Sequence, residues 1–303
     1  MPITLDLRNM QILIIGGRLP IRTKAIGMSE AFKRVIEVRA SSWGALFDCS
    51  YKWEGEHLLR MRRPSGIRAL LGTAVHAGTA AFDQAKMDRK PITAMEAADA
   101  FIDALHKPTD DVDYKQDRSL NMRQAEQIGL TLLTKYCHEI SPKFEFSAIE
   151  MKMEPMDIDC GDGLIIRLKG TMDRSRIAAD QDGAGDVIPD VKTGARLFDS
   201  ESNVILKARS AQLGAYSLMY ENQTGRHTVG GQIIALETAS QARVGVSPIF
   251  NVKQPMTGTP TQKGLIEYAA GMFKSGDFLP NPQSALCSDK FCARWNSCIF
   301  RDR

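Results

Sequence analysis

The fold is decided by two segments, Leu168-Lys-Gly-Thr-Met-Asp-Arg174 and Val187-Ile-Pro-Asp-Val-Lys-Thr-Gly194. Gly- and Asp-rich turns bound both segments, which predicts neighbouring β-strands of one meander. Residues two apart in a strand share a face, so Asp190 and Lys192 project to the same side. Asp173 lies on the adjacent strand and can approach Asp190.

The two carboxylates and the lysine predict a divalent metal site. Asp173 and Asp190 would repel each other unless a cation lay between them, and a hard divalent cation suits oxygen ligands. Lys192 beside them can hold a water molecule or stabilise charge that develops on a phosphate. A surface ion pair remains the alternative, because it is the commoner origin of an Asp-x-Lys triplet.

The segments around this core alternate between helices and strands. Upstream, the periodicity predicts helices at 29–38, 67–86 and through most of 94–140. Further along, it predicts strands at 144–156, 164–177 and 186–191, a helix at 210–221, strands at 229–236 and 247–252, and a helix at 264–275. That order is typical of an α/β or α+β fold.

The composition excludes several classes of protein. The 303 residues are 43% apolar and 25% charged, which is ordinary for a globular protein. The net charge, 39 − 36 = +3, permits nucleic-acid binding without arguing for it. We recognise no apolar run of membrane-spanning length and no secretion signal, so we expect no membrane association and a cytoplasmic location.

The six cysteines are distributed unevenly. Cys287, Cys292 and Cys298 lie within twelve residues, and Cys49 lies far upstream. In a reducing compartment, clustered thiols most often bind a metal or an iron–sulfur cluster, because thiolates are the soft ligands that such centres need. The other two, Cys137 and Cys160, are isolated and are typical of core thiols.

Five sequence elements together resemble the PD-(D/E)XK nucleases of the RecB type. The two core segments quoted above are preceded by Leu71-Gly-Thr-Ala-Val-His76 and followed by Gln212-Leu-Gly-Ala-Tyr216. The cysteine arrangement is similar to the iron–sulfur staple of the AddB and CRISPR-adaptation nucleases of this superfamily. The elements occur in the family's order over roughly residues 41–300, and five in order are specific where each alone is weak.

The resemblance implies a restriction-endonuclease-like core, a mixed sheet flanked by helices, with a helical N-terminal region. It also implies roles for individual residues. The metal ligands for Mg²⁺ or Mn²⁺ are His76, Asp173, Asp190 and the Val191 carbonyl. The catalytic lysine is Lys192, the residues that orient it or the DNA backbone are Gln212 and Tyr216, and a weaker acidic candidate on the first meander strand is Glu150.

Several of these residues also have a purely structural interpretation. His76 lies among apolar residues and is compatible with a core histidine. Gln212 and Tyr216 share a helix face and are compatible with packing of that helix against the sheet. Arg174 is expected to pair with a neighbouring acid. The basic residues Arg60, Arg62, Arg63 and Arg68 are compatible with a DNA path or with a solvated face.

For the cysteines, the resemblance implies a [4Fe–4S] cluster on Cys49, Cys287, Cys292 and Cys298. The spacing between Cys287 and Cys292 is four residues, where relatives more often have two. This departure leaves zinc as the rival metal, since four thiolates also suit tetrahedral zinc.

Together these observations predict three regions and one activity. Residues 1–143 form a helical region carrying Cys49 and His76, residues 144–280 the nuclease core, and residues 281–303 a cysteine segment that packs back on Cys49. The resemblance implies a metal-dependent DNA exonuclease that processes DNA ends in phage or prokaryotic recombination, replication or spacer capture, with DNA and a recombination or helicase protein as partners. The alternative is a non-catalytic nucleic-acid-binding or structural subunit with a degenerate nuclease fold and a zinc site.

Overall fold

A computed structural model describes residues 33–117, 119–178, 184–238 and 242–301. Its α-helices are α1 (Trp43–Asp48), α2 (Ser50–His57), α3 (Ile67–Met87), α4 (Ala94–His106), α5 (Met122–Lys135), α6 (Ser210–Thr224), α7 (Lys253–Thr257) and α8 (Leu265–Ser275). Within the described ranges, no helix combines the length and the apolar character that crossing a membrane would need.

The strands form two main sheets. They are β1 (Arg34–Arg39), β2 (Ser65–Gly66), β3 (Val112–Asp113), β4 (Phe146–Lys152), β5 (Met156–Asp159), β6 (Leu164–Lys169), β7 (Thr171–Ile177), β8 (Asp186–Gly194), β9 (Thr228–Glu237), β10 (Arg243–Val246), β11 (Gly258–Thr259) and β12 (Gln262–Lys263). The larger sheet has the order β10-β9-β8-β7-β4 and the smaller one the order β1-β6-β5. Parallel and antiparallel pairs occur in both, so the predicted mixed α/β architecture is confirmed.

Strand β8 lies at the centre of the larger sheet and is covered on both faces. Its neighbour β9 is parallel to it, as expected when a helix, here α6, makes the crossover. Val191 packs with the core of α3, α4 and α5, whereas Ile188 packs with the core that contains α6 and α8. Because Asp190 has the parity of Ile188, its side chain faces α6.

The segment predicted as one strand at 164–177 is two strands in two sheets. Gly170 separates β6 from β7, and it packs against α6 so closely that a β-carbon there would lie 2.8 Å from the Tyr216 ring. Any larger residue would push α6 away from the strands. The break lets one stretch of chain enter both sheets.

Two other local predictions were wrong. Residues 33–38 are the described part of the predicted helix at 29–38, and Arg34–Arg39 form β1, with Ile36 and Val38 buried and their neighbours within the strand exposed. Residues 29–32 lie outside the described residues. The strand predicted at 247–252 is replaced by β10 and an isolated bridge between Phe250 and Gly231.

Candidate active site

The site lies where β7 and β8 diverge. Among the described residues, the ladder between the two strands pairs Arg176 with Val187 and Ile177 with Asp186. Beyond that point, the carboxylate of Asp173 spans the gap, since its Oδ2 accepts a hydrogen bond of 3.0 Å from the Val191 amide. This contact places the Val191 main chain, whose carbonyl the resemblance implies as a ligand, beside Asp173.

Asp190, Lys192 and Gln212 form a closed set of contacts on the α6 side of β8. The Lys192 ammonium lies 2.8 Å from Asp190 Oδ2 and donates a hydrogen bond of 3.0 Å to Gln212 Oε1. Gln212 Nε2 in turn donates a hydrogen bond of 3.0 Å to Asp190 Oδ1. The amide of Gln212 thus fixes the lysine and the carboxylate relative to each other, which is the contact expected of a residue that orients the lysine.

Burial makes Asp190 an unusual carboxylate. Only 2% of its side chain is exposed, and this loss of solvent raises its pKa to about 6, with Lys192 opposing the rise and Asp173 adding to it. Apart from the ion pair with Lys192, Oδ2 accepts no hydrogen bond in the described structure. A buried carboxylate oxygen whose one partner is an ammonium group could also coordinate a metal ion.

A second group of ligand atoms faces Asp173 from two other elements. His76 on α3, Glu150 on β4 and Asp173 on β7 each offer one ligand atom, and these atoms lie within 4.8 Å of one another. The His76 Nδ1 atom is 3.4 Å from Asp173 Oδ2. His76 is therefore half-buried at the sheet and is not enclosed by the apolar core.

Glu150 has a backbone conformation that is uncommon for a residue other than glycine. Its φ of 44° lies in the left-handed region, which it shares with five other described non-glycine residues and which costs of order 1 kcal/mol. Burial, and then the nearby Asp173, raise its pKa above the ordinary value. Glu150 was the weaker sequence candidate, and the structure places it with His76 and Asp173, late in β4 and not at its start.

These residues fit a divalent cation. The carboxylates of Glu150 on β4 and Asp173 on β7 converge with the His76 imidazole on α3, and such oxygen ligands suit Mg²⁺ or Mn²⁺. The Asp190 carboxylate on β8, which interacts with Asp173 and His76, would be a further ligand.

Arg174 connects α3, β4 and β7, the elements that carry His76, Glu150 and Asp173. Its side chain is completely buried, and its Nε donates to Asp83 Oδ2 at 2.8 Å. One terminal nitrogen donates to the Asp173 carbonyl at 2.7 Å and to Glu150 at 3.2 Å, and the other donates to Thr79 at 3.3 Å. The prediction that Arg174 pairs with a neighbouring acid is confirmed by Glu150 on the adjacent strand β4, while its closer partner, Asp83, lies 91 residues away on α3.

The residues on α3 that complete this network were missed from the sequence. Thr79 and Asp83 follow His76 by three and seven positions, so all three share one helix face. Thr79 Oγ1 donates to the His76 carbonyl at 3.0 Å, while Tyr136 and Ser141 donate to Asp83. Polar residues recurring with helical spacing on an otherwise apolar face are the signal that could have revealed them.

Tyr216 lies one turn after Gln212 on α6. It is 4% exposed and packs against Gly170. Burial, followed by the charges of Asp173 and Asp190, raises its pKa well above the ordinary value. Tyr216 therefore keeps its proton near the two carboxylates and also sets the distance between α6 and the strands.

The four cysteines of the predicted staple line one pocket. Cys49 lies immediately before α2, and Cys287, Cys292 and Cys298 belong to the C-terminal segment. Burial, followed by the neighbouring thiols, raises the pKa values of Cys287 and Cys292. Cys137 and Cys160 are instead buried in separate apolar clusters.

Polar contacts hold the C-terminal segment against α2. Asn281 donates its backbone N–H to Cys49 Sγ at 3.4 Å, and Ser50 Oγ donates to the Leu279 carbonyl at 3.1 Å. The Arg294 guanidinium lies 3.4 Å from the centre of the Tyr51 ring. The chain ends of the described core are thus joined at the cysteine pocket.

Comparisons with known proteins identify the family of this chain. The model of the PD-(D/E)XK nuclease superfamily matches residues 40–299. The crystal structure of a "Putative exonuclease" from Eubacterium rectale is similar, with a TM-score of 0.49 and 13% identity, over 80% of this chain and 83% of that chain. A search of the curated proteins finds no match. Since the family model covers most of the residues from Ala40 onward, including both core segments, this chain belongs to the PD-(D/E)XK nuclease superfamily.

Proposed function

We propose that this chain is a deoxyribonuclease that requires Mg²⁺ or Mn²⁺ and hydrolyses phosphodiester bonds. The observation that carries the proposal is the convergence of His76, Glu150 and Asp173 within 4.8 Å, beside Asp190 and Lys192. Membership of a nuclease superfamily supports a nucleic-acid substrate.

The bound metal would supply an activated water molecule and screen the phosphate charge. The residues that would hold it are His76, Glu150, Asp173, Asp190 and the Val191 carbonyl. Lys192 stabilises the negative charge that develops on the phosphate, because Gln212 and Asp190 hold its ammonium in place before the substrate arrives. Tyr216 provides a neutral hydroxyl group beside the carboxylates.

The cysteine pocket supports a [4Fe–4S] cluster on Cys49, Cys287, Cys292 and Cys298. Four thiolates lining one pocket suit that cluster. They also suit tetrahedral zinc, which stays the rival metal.

The resemblance to RecB-type enzymes supports a narrower role within this proposal. The enzyme acts as an exonuclease on DNA ends in a prokaryotic or phage-infected cytoplasm, in recombination, replication or spacer capture. A helicase or recombination protein is the expected partner.

The decisive experiment compares Asp190→Ala with the wild type in a cleavage assay with Mn²⁺. We expect a loss of activity of several orders of magnitude with an unchanged circular dichroism spectrum, because a metal ligand is lost while a buried charge is removed. Asp157→Ala is the matched control, since Asp157 is an exposed strand carboxylate that pairs with Arg167. Cleavage by Asp190→Ala at the control's rate would refute the site.

A further inference from the structure

A groove lies at the start of α3, outside the site described above. It has a volume of about 320 Å³ and is bounded by the loop after α2, the loop before α5 and the cysteine segment. The charged and polar residues that line it are Glu56, Arg63, Arg68, Gln116, Asp117 and Lys290. The sequence left open whether the arginines of this region follow a DNA strand or face solvent.

The acidic residues of the groove are already neutralised. Glu56 forms an ion pair of 2.6 Å with Lys52, and Asp117 pairs with Arg68. Hydrogen bonds from Ser119, together with Arg68, lower the pKa of Asp117 to about 2, so it stays ionised and paired. The acids therefore leave the remaining cations of the groove uncompensated.

Two cations of the groove have no acidic partner among the described residues. Arg63 is exposed and Lys290 is half-buried, and neither forms an ion pair with a described acid. The Lys290 ammonium is held 4.9 Å from the centre of the Phe291 ring, which fixes it without neutralising it. A groove with two such cations has the charge complementary to a phosphate backbone.

One face of α3 joins the groove to the active site. Ala69 lines the groove, and His76 lies seven residues later on the same helix face, with Gly72 and Thr73 between them. A β-carbon at Gly72 would lie 4.0 Å from that of Thr193, the residue after Lys192. The surface between groove and site therefore has only small side chains.

We propose that this groove binds the phosphate backbone of the nucleic-acid strand at a point about 12 Å along α3 from the bond that is cleaved. The distance follows from α3, in which seven or eight residues at 1.5 Å each span about 12 Å. Arg63 and Lys290 contact the phosphates. The inference rests on the proposed nuclease function and adds a second contact point on the substrate.

The test measures binding without cleavage. A fluorescent oligothymidylate of about ten nucleotides is titrated with protein in EDTA at several salt concentrations, and its anisotropy is recorded. The variants are Arg63→Glu and Lys290→Glu. The matched control is Arg89→Glu, because Arg89 is an exposed arginine just beyond the opposite end of α3.

We expect each groove variant to bind about tenfold more weakly than the control and to reduce the slope of log affinity against log salt by about 0.7. A merely structural effect would not change that slope. Lys290 lies between two of the clustered cysteines, so Lys290→Glu could disturb folding of that segment. Arg63 lies outside the segment, and Arg63→Glu therefore tests the groove even if Lys290→Glu does not fold.

Two results would overturn the inference in different ways. If the wild type cleaves the same oligonucleotide with Mn²⁺ but both variants bind like Arg89→Glu, the groove is refuted and the nuclease stands. If the wild type neither binds nor cleaves it, the proposed function fails as well.

Discussion

Asp83→Ala is the change expected to cost the molecule most stability outside its apolar cores. Asp83 and Arg174 are both completely buried, 2.8 Å apart, and Tyr136 and Ser141 also donate to the carboxylate. Removing the acid leaves the guanidinium buried, with Glu150 as its remaining acidic partner at 3.2 Å. Breaking a buried pair in this way costs about 3–5 kcal/mol, much more than the intact pair contributes.

The matched comparison is Asp157→Ala. Asp157 also forms a two-pronged pair with an arginine, Arg167, but both side chains are more than a third exposed. An exposed pair of this kind contributes about 0–1 kcal/mol. In urea titrations followed by circular dichroism, we expect Asp83→Ala to lose about 3 kcal/mol more than Asp157→Ala, and its melting temperature to fall by roughly 10 °C.

The same change also tests how the site is held together. Arg174 donates to the Asp173 carbonyl and to Thr79, which donates to the His76 carbonyl, so a displaced guanidinium would disturb the ligands on both elements. We therefore expect Asp83→Ala to bind Mn²⁺ more weakly at temperatures where it is still folded. If Asp83→Ala is as stable as Asp157→Ala, the buried network does not have the role assigned to it.

The centre of the fold was predictable because its signals are local. The apolar run of β8 and the helical spacing of α6 need no knowledge of distant partners, so Asp190, Lys192 and Gln212 could be assigned to their elements from the sequence. Their contacts follow from strand and helix geometry. What these contacts do chemically remains a prediction.

The structure of β1 and the break between β6 and β7 were harder to predict, because contacts with residues distant in the sequence determine them. Residues 34–39 are compatible with either a short helix or a strand, and pairing with β6, some 130 residues later, makes them β1. Gly170 marked the break in the predicted strand at 164–177, since a glycine in a strand often signals close approach of another element. Nothing local indicated that the two halves enter different sheets.

In the candidate site, too, features with a local sequence signal were predicted and features that depend on distant residues were not. Glu150 was placed on the right strand, but the backbone conformation that brings it to Asp173 and His76 has no sequence signature in a glutamate. Asp83 was missed because its partner, Arg174, lies on an element 91 residues away. Long-range pairs between buried charges are fixed by packing, and a single sequence does not reveal packing.

Three further predictions concern a lysine, a surface carboxylate and the cysteines. Lys192→Ala should keep Mn²⁺ binding in calorimetry but lose turnover, because the ammonium acts on the reacting phosphate; loss of metal binding would show that the role is wrong. For Asp117, the pKa is about 2 in the folded chain and near 3.8 when unpaired, so its paired form stabilises the fold above pH 4 and this contribution is lost as the pH falls towards 2. The stability difference between wild type and Asp117→Asn should therefore shrink with acidification, and a difference that grows would contradict the pairing. Cys49 lies 238 residues before Cys287, and a centre that joins them closes a loop around most of the described chain, which stabilises the folded state. We expect Cys49→Ala to lower iron content and melting temperature as much as Cys292→Ala does, whereas Cys137→Ala, whose thiol is buried in a separate cluster, leaves the iron content unchanged. An anaerobic preparation with an absorption band near about 400 nm indicates the cluster, and one equivalent of zinc in a colourless preparation supports the rival metal. Full metal content in Cys49→Ala would exclude this residue as a ligand, and the cysteine pocket would then be held by its polar contacts alone.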